Sequence, residues 1–157
     1  MKRMIFLLLA MLCLVGCAAP EAPAPEENLT FVYHGVAISP HGDAALVIEA
    51  LGEPKSYTEE ASCAFEGLDK TYYYGSVYIS TYPLDGKDWV YTLWFADDTV
   101  TTAEGVRIGS TQAEVEEVYG ADCFTGSSYV ITQGQSRLVI LVEDETVSGI
   151  RYEAILE

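Results

Sequence analysis

Residues 105–120, GVRIGSTQAEVEEVYG, decide the predicted fold of this 157-residue chain. The first four of these residues predict a short strand, and Thr111 is a favoured N-cap for the helix that follows. Glu114 lies three residues after Thr111, which is the spacing of a capping box. Gly120 is a typical stop signal for a helix. The stretch therefore predicts a strand, a turn and a capped helix.

An earlier stretch, GVAISPHGDAALVIEALG at residues 35–52, has the same order of signals. Asp43 is its predicted N-cap, and Gly52 is its predicted stop in the left-handed conformation, as Gly120 is for the second helix. Apolar residues recur between the two signals at spacings of three and four, so one side of this helix is expected to face a sheet. We therefore predict two copies of one unit, residues 29–104 and 105–157.

The strongest strand signal is TYYYGSVYISTYP at residues 71–83. Gly75-Ser76 is predicted to be a two-residue hairpin turn, because such turns need a positive φ. One side of the sheet then carries Tyr72, Tyr74, Val77 and Ile79, and the other carries Tyr73, Tyr78, Ser80 and Tyr82. After a turn at Asp85-Gly86, the alternation in DWVYTLWF at residues 88–95 predicts the next strand.

The second half of the chain predicts a similar meander. Its three predicted strands are residues 129–132, 137–142 and 147–154. LWFADDTV at residues 93–100 aligns with ILVEDETV at residues 140–147, which predicts that the two segments are equivalent. The predicted fold class is α+β: two tandem units, each a helix followed by an antiparallel meander, form one continuous sheet with both helices on one face.

Other segments give weaker patterns. Residues 31–38 predict a single first strand with an irregularity at Gly35, and residues 53–69 have no usable periodicity and are predicted to be a long loop. A turn at Asp97-Asp98 is predicted to return the chain to the strand that begins at Gly105.

The N-terminus has the features of a secretory signal peptide over residues 1–16. Lys2 and Arg3 precede an apolar run that is shorter than the roughly 20 residues of a membrane-spanning helix. Gly16 before Cys17 resembles the lipobox of bacterial lipoproteins, and the resemblance implies that Cys17 is the first mature residue and receives a diacylglycerol. An ordinary secretory peptide with an incidental cysteine is the alternative.

The segment after the lipid-attachment site, AAPEAPAPEEN at residues 18–28, has a composition that cannot build a core. Together with Cys17 it predicts a tether, residues 17–28, between the membrane and one globular domain at residues 29–157. The expected location is outside the cytoplasm, at the membrane surface.

The chain is strongly acidic, with 24 Asp and Glu against 8 Lys and Arg and a formal net charge of −16. Loss of Lys2 and Arg3 with the signal peptide would lower the charge to −18. So acidic a surface argues against nucleic acid as a partner, because both would be negative. It could attract cations or a basic protein partner, but a charge that only keeps a surface protein soluble is the simpler explanation.

Cys63 and Cys123 remain once Cys13 and Cys17 are assigned to the signal peptide and the anchor. Thiols outside the cytoplasm can oxidise, so a Cys63–Cys123 disulfide and two buried free thiols are both open. A cell-envelope hydrolase that uses Cys63 with His34 or His41 is an alternative function, but the chain has no G-x-S-x-G or H-E-x-x-H motif. A purely structural envelope lipoprotein is the other alternative.

Metal and cofactor sites are not predicted. Asp97-Asp98 and Asp144-Glu145 could hold a hard cation such as Ca²⁺, but neither pair matches a D-x-D-x-D-G loop, and turn acids usually serve the turn itself. We therefore predict neither a metal nor a cofactor.

The best functional signal is a set of aromatic residues predicted on the side of the sheet away from the helices: Tyr73, Tyr78, Tyr82 and Trp94. Tyr and Trp offer large, stiff contact areas with a polar tip, as in binding hot spots. Cross-strand aromatic pairs can instead simply stabilise a one-layer sheet. Both interpretations are open from the sequence.

The predicted order of helix, glycine stop and antiparallel strands resembles the tandem-repeat fold of beta-lactamase inhibitory proteins. SCAFEGLDK at residues 62–70, TYP at residues 81–83 and EGVRIG at residues 104–109 resemble a group of Gram-positive surface lipoproteins. The second resemblance implies no activity. The first implies that an open, concave sheet face binds another protein, so we expect a protein- or peptide-binding module and not an enzyme.

Overall fold

Both helices form where the capping signals predict them in the computed structural model, which describes residues 27–156. Helix α1 spans Ala44–Leu51, and helix α2 spans Gln112–Tyr119. The Asp43 side chain caps α1, and Thr111 caps α2 through both bonds of the predicted capping box. The predicted signal peptide, Cys17 and nearly all of the tether lie outside the described residues.

Glycines end both helices, as predicted. Gly52 and Gly120 have φ values of 78° and 82°, and their N–H groups donate to the carbonyls of Ile48 and Glu116 at 2.9 Å. Their ψ values of −153° and 149° lie outside the left-handed helical region, so that part of the prediction is wrong. The extended ψ carries the chain directly away from each helix.

Replacing Glu114 by Gln is expected to remove the acid dependence of the α2 cap. Hydrogen bonds from Thr111 hold the pKa of Glu114 below its ordinary value of 4.5, so the unfolded chain binds the proton more tightly. The carboxylate therefore stabilises the fold fully above pH 4.5, and this stabilisation is lost as the pH falls through the lower folded-state pKa. Gln accepts the same bonds without titrating.

The measurement is the free energy of unfolding in urea for the wild type and the Gln variant, from about pH 7 to about pH 3. We expect the advantage of the wild type to shrink as the pH falls. A difference between the two proteins that stays constant across this range would contradict the prediction.

Residues 31–38 form a hairpin and not the single strand predicted. Strand β1 (Phe31–Tyr33) pairs with strand β2 (Val36–Ile38) in a two-stranded sheet of its own. His34 and Gly35 between them have φ values of 49° and 82°, and two successive positive φ angles reverse the chain.

Eight further strands of the described residues form one antiparallel sheet, which confirms the α+β class and the continuous sheet. They are β3 (Ser56–Ala61), β4 (Leu68–Tyr73), β5 (Val77–Leu84), β6 (Lys87–Phe95), β7 (Phe124–Thr125), β8 (Ser128–Gln133), β9 (Ser136–Glu143) and β10 (Thr146–Ala154). Their order across the sheet is β3-β4-β5-β6-β10-β9-β8-β7. The predicted Gly75-Ser76 and Asp85-Gly86 turns join β4 to β5 and β5 to β6.

The centre of the sheet is a short ladder between β6 and β10. Its three residue pairs are Trp94 with Arg151, Leu93 with Tyr152, and Thr92 with Glu153. Side chains alternate along a strand, so Leu93 and Tyr152 share one side, and Trp94 and Arg151 share the other. We call these the helix side and the open side of the sheet.

The hydrophobic core lies on the helix side. One cluster of buried residues joins α1, α2, the β1–β2 hairpin and the four central strands; its members include Phe31, Val47, Val115, Ile79, Leu93, Ile140 and Tyr152. Both helices and the hairpin therefore pack against the same side of the sheet, which leaves the open side without a covering helix.

Residues 53–69 are not the loop that was predicted, because they contain all of β3 and the start of β4. Every residue of β3 is exposed, so its sequence SYTEEA shows no alternation of apolar and polar residues. A period-two signal needs one buried face, and this strand at the edge of the sheet has none.

Residues 105–108 do not form the predicted strand. The N–H of Gly105 donates to the carbonyl of Thr102 at 3.0 Å, and the N–H of Val106 donates to the Thr102 hydroxyl at 3.2 Å. These bonds fold the segment into a tight turn that buries Val106. An apolar residue at a buried turn gives the same sequence signal as one in a strand.

Residues 93–100 and 140–147 are not equivalent in the sheet, although their sequences align. Leu93 lies in the central strand β6, between β5 and β10, whereas Ile140 lies in β9, between β8 and β10. Both segments combine alternating apolar residues with an acidic turn. That pattern identifies a strand end but not the position of the strand in the sheet.

Candidate binding surface

Three of the four predicted aromatic residues form a row on the open side. Tyr73 lies opposite Tyr78, and Tyr78 lies opposite Trp94, across strands β4, β5 and β6. The Tyr73 and Tyr78 rings are stacked, with their centroids 4.5 Å apart. Trp94 is 50% exposed, an unusual fraction for so large an apolar side chain at the centre of a sheet.

Tyr82 is not part of this surface, which corrects its assignment as an exposed anchor. The residue is only 5% exposed, because the ring of Phe65 packs 5.2 Å from it and His41 covers its hydroxyl. His41 Nδ1 lies 2.7 Å from the Tyr82 hydroxyl, and Nε2 lies 3.1 Å from the Gln135 carbonyl oxygen. Burial raises the pKa of Tyr82. Its side chain therefore helps to hold the end of the sheet together.

The row continues onto β10, where a cleft of about 230 Å³ lies beside Trp94. Leu141, Gly149 and Arg151 help to line it. A methyl group added at Gly149 would lie 3.3 Å from Leu141 Cδ1, so glycine leaves room at the cleft floor. Two other, larger clefts occur on the described surface: one of about 540 Å³ lies between the start of α2 and the β9–β10 turn, and one of about 620 Å³ lies between the β3–β4 connection and the β5–β6 turn.

Arg151 is held in place by a buried carboxylate. Glu153 is buried on the open side, accepts a hydrogen bond from Arg151 Nε at 2.5 Å and also accepts one from Arg137 Nε. Two guanidinium groups around one carboxylate leave a net positive charge at the centre of this side. Arg151 and Glu153 are two residues apart on β10, whereas Arg137 becomes a neighbour of Glu153 only through the pairing of β9 with β10, which the sequence does not indicate.

Cys63 and Cys123 are both free thiols, so the disulfide that the sequence left open is not formed, and neither thiol is buried as the alternative expected. Cys63 is exposed in the β3–β4 connection, and Cys123 lies next to β7, so they belong to opposite edges of the sheet. Seven strand spacings of about 4.8 Å separate those edges, far beyond the reach of a disulfide. Cys123 Sγ donates to the Tyr119 carbonyl at 3.3 Å.

The described contacts do not join Cys63 to a histidine. The His34 ring lies 4.2 Å from that of Tyr33, and both ring nitrogens of His41 are within hydrogen-bond distance of Tyr82 or Gln135. A thiol nucleophile needs a base within hydrogen-bond reach. This geometry does not supply one for Cys63.

The acidic turns have local partners. Asp97 accepts hydrogen bonds from the N–H of Thr99 at 2.9 Å and from its hydroxyl at 2.5 Å, which hold the pKa of Asp97 below its ordinary value. Asp144 and Glu145 have positive φ values of 49° and 58° and form the β9–β10 turn. Within residues 27–156, no group of three or more His, Cys, Asp or Glu residues is arranged to hold a metal ion.

Comparisons with known proteins are sparse. No protein-family model matches the chain, and no curated protein matches it. A 1.5 Å crystal structure of an extracellular SCP-domain protein from Bacillus anthracis str. Ames aligns with a TM-score of 0.43 and 14% sequence identity. The alignment covers 73% of this chain and 43% of that one, so this chain spans less than half of the other's length. A similarity at this level assigns neither a fold family nor a function.

The part of the chain that the structure describes contains no helix that is long and apolar enough to cross a membrane.

Proposed function

We propose that this protein is an extracytoplasmic lipoprotein that binds another protein or a peptide through the open side of its sheet, without catalysing a reaction. The observation that carries the proposal is the half-exposed Trp94, which stands between Tyr78 and Arg151 above a cleft. Trp, Tyr and Arg are the residues most enriched in binding hot spots.

The row also has the physical properties of a pre-organised surface. Tyr73 and Tyr78 are stacked, and Glu153 fixes Arg151, so few side-chain rotamers would be lost on binding. An apolar side chain of a partner could enter the cleft between Trp94 and Leu141. A surface of this kind gains affinity mainly by burying aromatic area that already has its final geometry.

The proposed location of the protein rests on its N-terminal sequence. The features of residues 1–16 and the lipobox-like Gly16-Cys17 support an anchor through a lipidated Cys17, with the tether holding the domain off the membrane. The proposed partner is therefore a protein or peptide at the cell surface or in the envelope. The acidic composition favours a basic partner, because its field would speed their encounter.

The two-unit fold similar to beta-lactamase inhibitory protein is likewise a proposal. Each helix is followed by four strands, β3–β6 after α1 and β7–β10 after α2. The last strands of the two sets, β6 and β10, are neighbours at the centre, and their first strands lie at the two edges. This symmetric order supports two units that meet along β6 and β10.

Site-specific photocrosslinking would test the open side directly. A crosslinking amino acid at Tyr78, in the full chain expressed in its own cells, is expected to capture a defined protein or peptide. The matched control places the same group at Leu46, which is 66% exposed on α1. Equal products from both positions, or none from Tyr78, would contradict binding through the open side.

A further inference from the structure

Strand β3 leaves one edge of the sheet unpaired within the described residues. It pairs with β4 along all six of its residues, and no other described strand lies on its outer side. All six residues, Ser56–Ala61, are exposed. An edge strand of this length presents a row of free backbone donors and acceptors to which another strand can add.

The register shows which backbone groups face outward. Just beyond β3, the N–H of Ser62 donates to the Gly67 carbonyl at 3.0 Å, and this pair continues the β3–β4 register. Hydrogen-bonded pairs occur at every second residue of an antiparallel ladder. The N–H and C=O groups of Tyr57, Glu59 and Ala61 therefore point away from β4, toward the free edge.

The charge beside this edge is negative and unbalanced. Glu60 lies directly opposite Asp69, and like charges at such positions destabilise a sheet. Among the described residues, no Lys or Arg forms an ion pair with either carboxylate, and the nearby Lys70 is already paired with Asp88 at 2.6 Å. Asp69 Oδ1 is buried without a hydrogen-bond partner.

A small cleft of about 120 Å³ lies at these carboxylates, lined by Thr58, Glu59, Glu60, Asp69 and Thr71. The Thr58 and Thr71 side chains share the open side with Glu60 and Asp69, because they pair two residues earlier in the same ladder. The carboxylate oxygens only accept hydrogen bonds and the hydroxyl oxygens can also accept them, so the cleft suits a group that carries several donors. An ammonium or guanidinium group has that chemistry.

We propose that β3 is a docking edge for an extended peptide segment that carries Lys or Arg. The segment pairs with the outward backbone groups of Tyr57, Glu59 and Ala61, and one of its basic side chains lies between Glu60 and Asp69. This interaction uses a strand edge and not the aromatic row, so it stands independently of binding around Trp94.

Other occupants of the edge fit the charges less well. A second copy of this chain would bring Glu59 and Glu60 against their own equivalents, in a chain whose net charge is −16. The protein's own tether carries Glu21, Glu26 and Glu27 and no basic residue. Either occupant would add negative charge to an edge at which the charges of Glu60 and Asp69 already have no basic partner among the described residues.

The test uses the full chain in detergent micelles with two synthetic hexapeptides, acetyl-(Lys-Val)3-amide and acetyl-(Glu-Val)3-amide. The Lys peptide is expected to bind and to slow hydrogen exchange at the amides of Tyr57, Glu59 and Ala61. The Glu peptide is expected to do neither. Absence of binding by the Lys peptide at millimolar concentration, or equal binding of the two peptides, would overturn the proposal.

A matched pair of variants separates charge from strand addition. Glu59→Gln removes the charge and keeps the outward N–H, whereas Glu59→Pro removes both without breaking a bond to β4. The Pro variant is expected to bind the Lys peptide at least about fivefold more weakly than the Gln variant, because one backbone donor is lost. Equal affinity of the two folded variants would show that the edge backbone is not used.

Sedimentation of the wild type and both variants addresses self-association. We expect a monomer in each case. A wild-type dimer that becomes monomeric in Glu59→Pro would assign the edge to a second copy of the chain and would overturn the proposed basic partner.

Discussion

Replacing Trp94 by Ala is expected to weaken binding of the partner captured at Tyr78 by about thirtyfold or more, corresponding to about 2 kcal/mol. Trp94 is the largest exposed apolar side chain of the row and forms a wall of the cleft that Leu141 and Arg151 also line. Truncation would remove both the contact area and the wall. The measurement is the dissociation constant of the full chain in detergent for that partner.

The control for Trp94 is Tyr91→Ala, which removes another exposed aromatic ring from the same strand but outside the row. It is expected to leave the affinity within about twofold of the wild type, because rim contacts contribute little. If instead Trp94→Ala reduced the free energy of unfolding by about 1 kcal/mol and left the affinity unchanged, the aromatic row would be only structural.

Replacing Leu93 by Ala is expected to reduce the free energy of unfolding by about 2–5 kcal/mol. Leu93 is 1% exposed, lies at the centre of the sheet, and is opposite Ile79 on one neighbour and Tyr152 on the other. Removal of the side chain would leave a cavity, and the neighbouring strands β5 and β10 cannot move to fill it because both are hydrogen-bonded to β6. Urea unfolding of the full chain, followed by circular dichroism, measures the effect.

The same chemical change at Leu46 serves as the control. This side chain is exposed on α1, so Leu46→Ala is expected to alter the free energy of unfolding by no more than about 0.5 kcal/mol. Similar effects at Leu93 and Leu46 would contradict the packing described for β6. Leu93 and Trp94 are adjacent in sequence, so the two variants together separate the stabilising side of the strand from the binding side.

Local signals made the helices predictable. The caps at Asp43 and Thr111 and the stops at Gly52 and Gly120 depend on residues within one or two turns, and all four lie at the predicted positions. The Gly75-Ser76 turn fixed the alternation of the following strand, so Tyr78 and Ile79 face opposite sides as predicted. A hairpin register follows from its turn without information from the rest of the chain.

Features that depend on distant pairing could not be predicted in this way. Arg137 reaches Glu153, and the cleft at Gly149 forms beside Trp94, only because β9, β10 and β6 are neighbours. Tyr82 has the correct alternation for the open side, but Phe65 reaches it from a connection with no periodicity. Periodicity encodes neither the order of strands, which decides the first two features, nor the course of this connection, which decides the third.

The short ladder between β6 and β10 also has a consequence for the mechanical stability of the sheet. Apart from the edge strand β7, which pairs with β8 over two residues, the other neighbouring strands of the sheet pair over four to eight residues. Among the described residues, only Trp94–Arg151, Leu93–Tyr152 and Thr92–Glu153 pair across the joint between the two halves of the sheet. Trp94 belongs to β6 and Arg151 to β10, so one residue lies on each of the two strands that form the joint. A partner that contacts both residues would therefore connect the two halves of the sheet across the β6–β10 joint. The force needed to pull the halves apart would rise when the partner is bound to the open side.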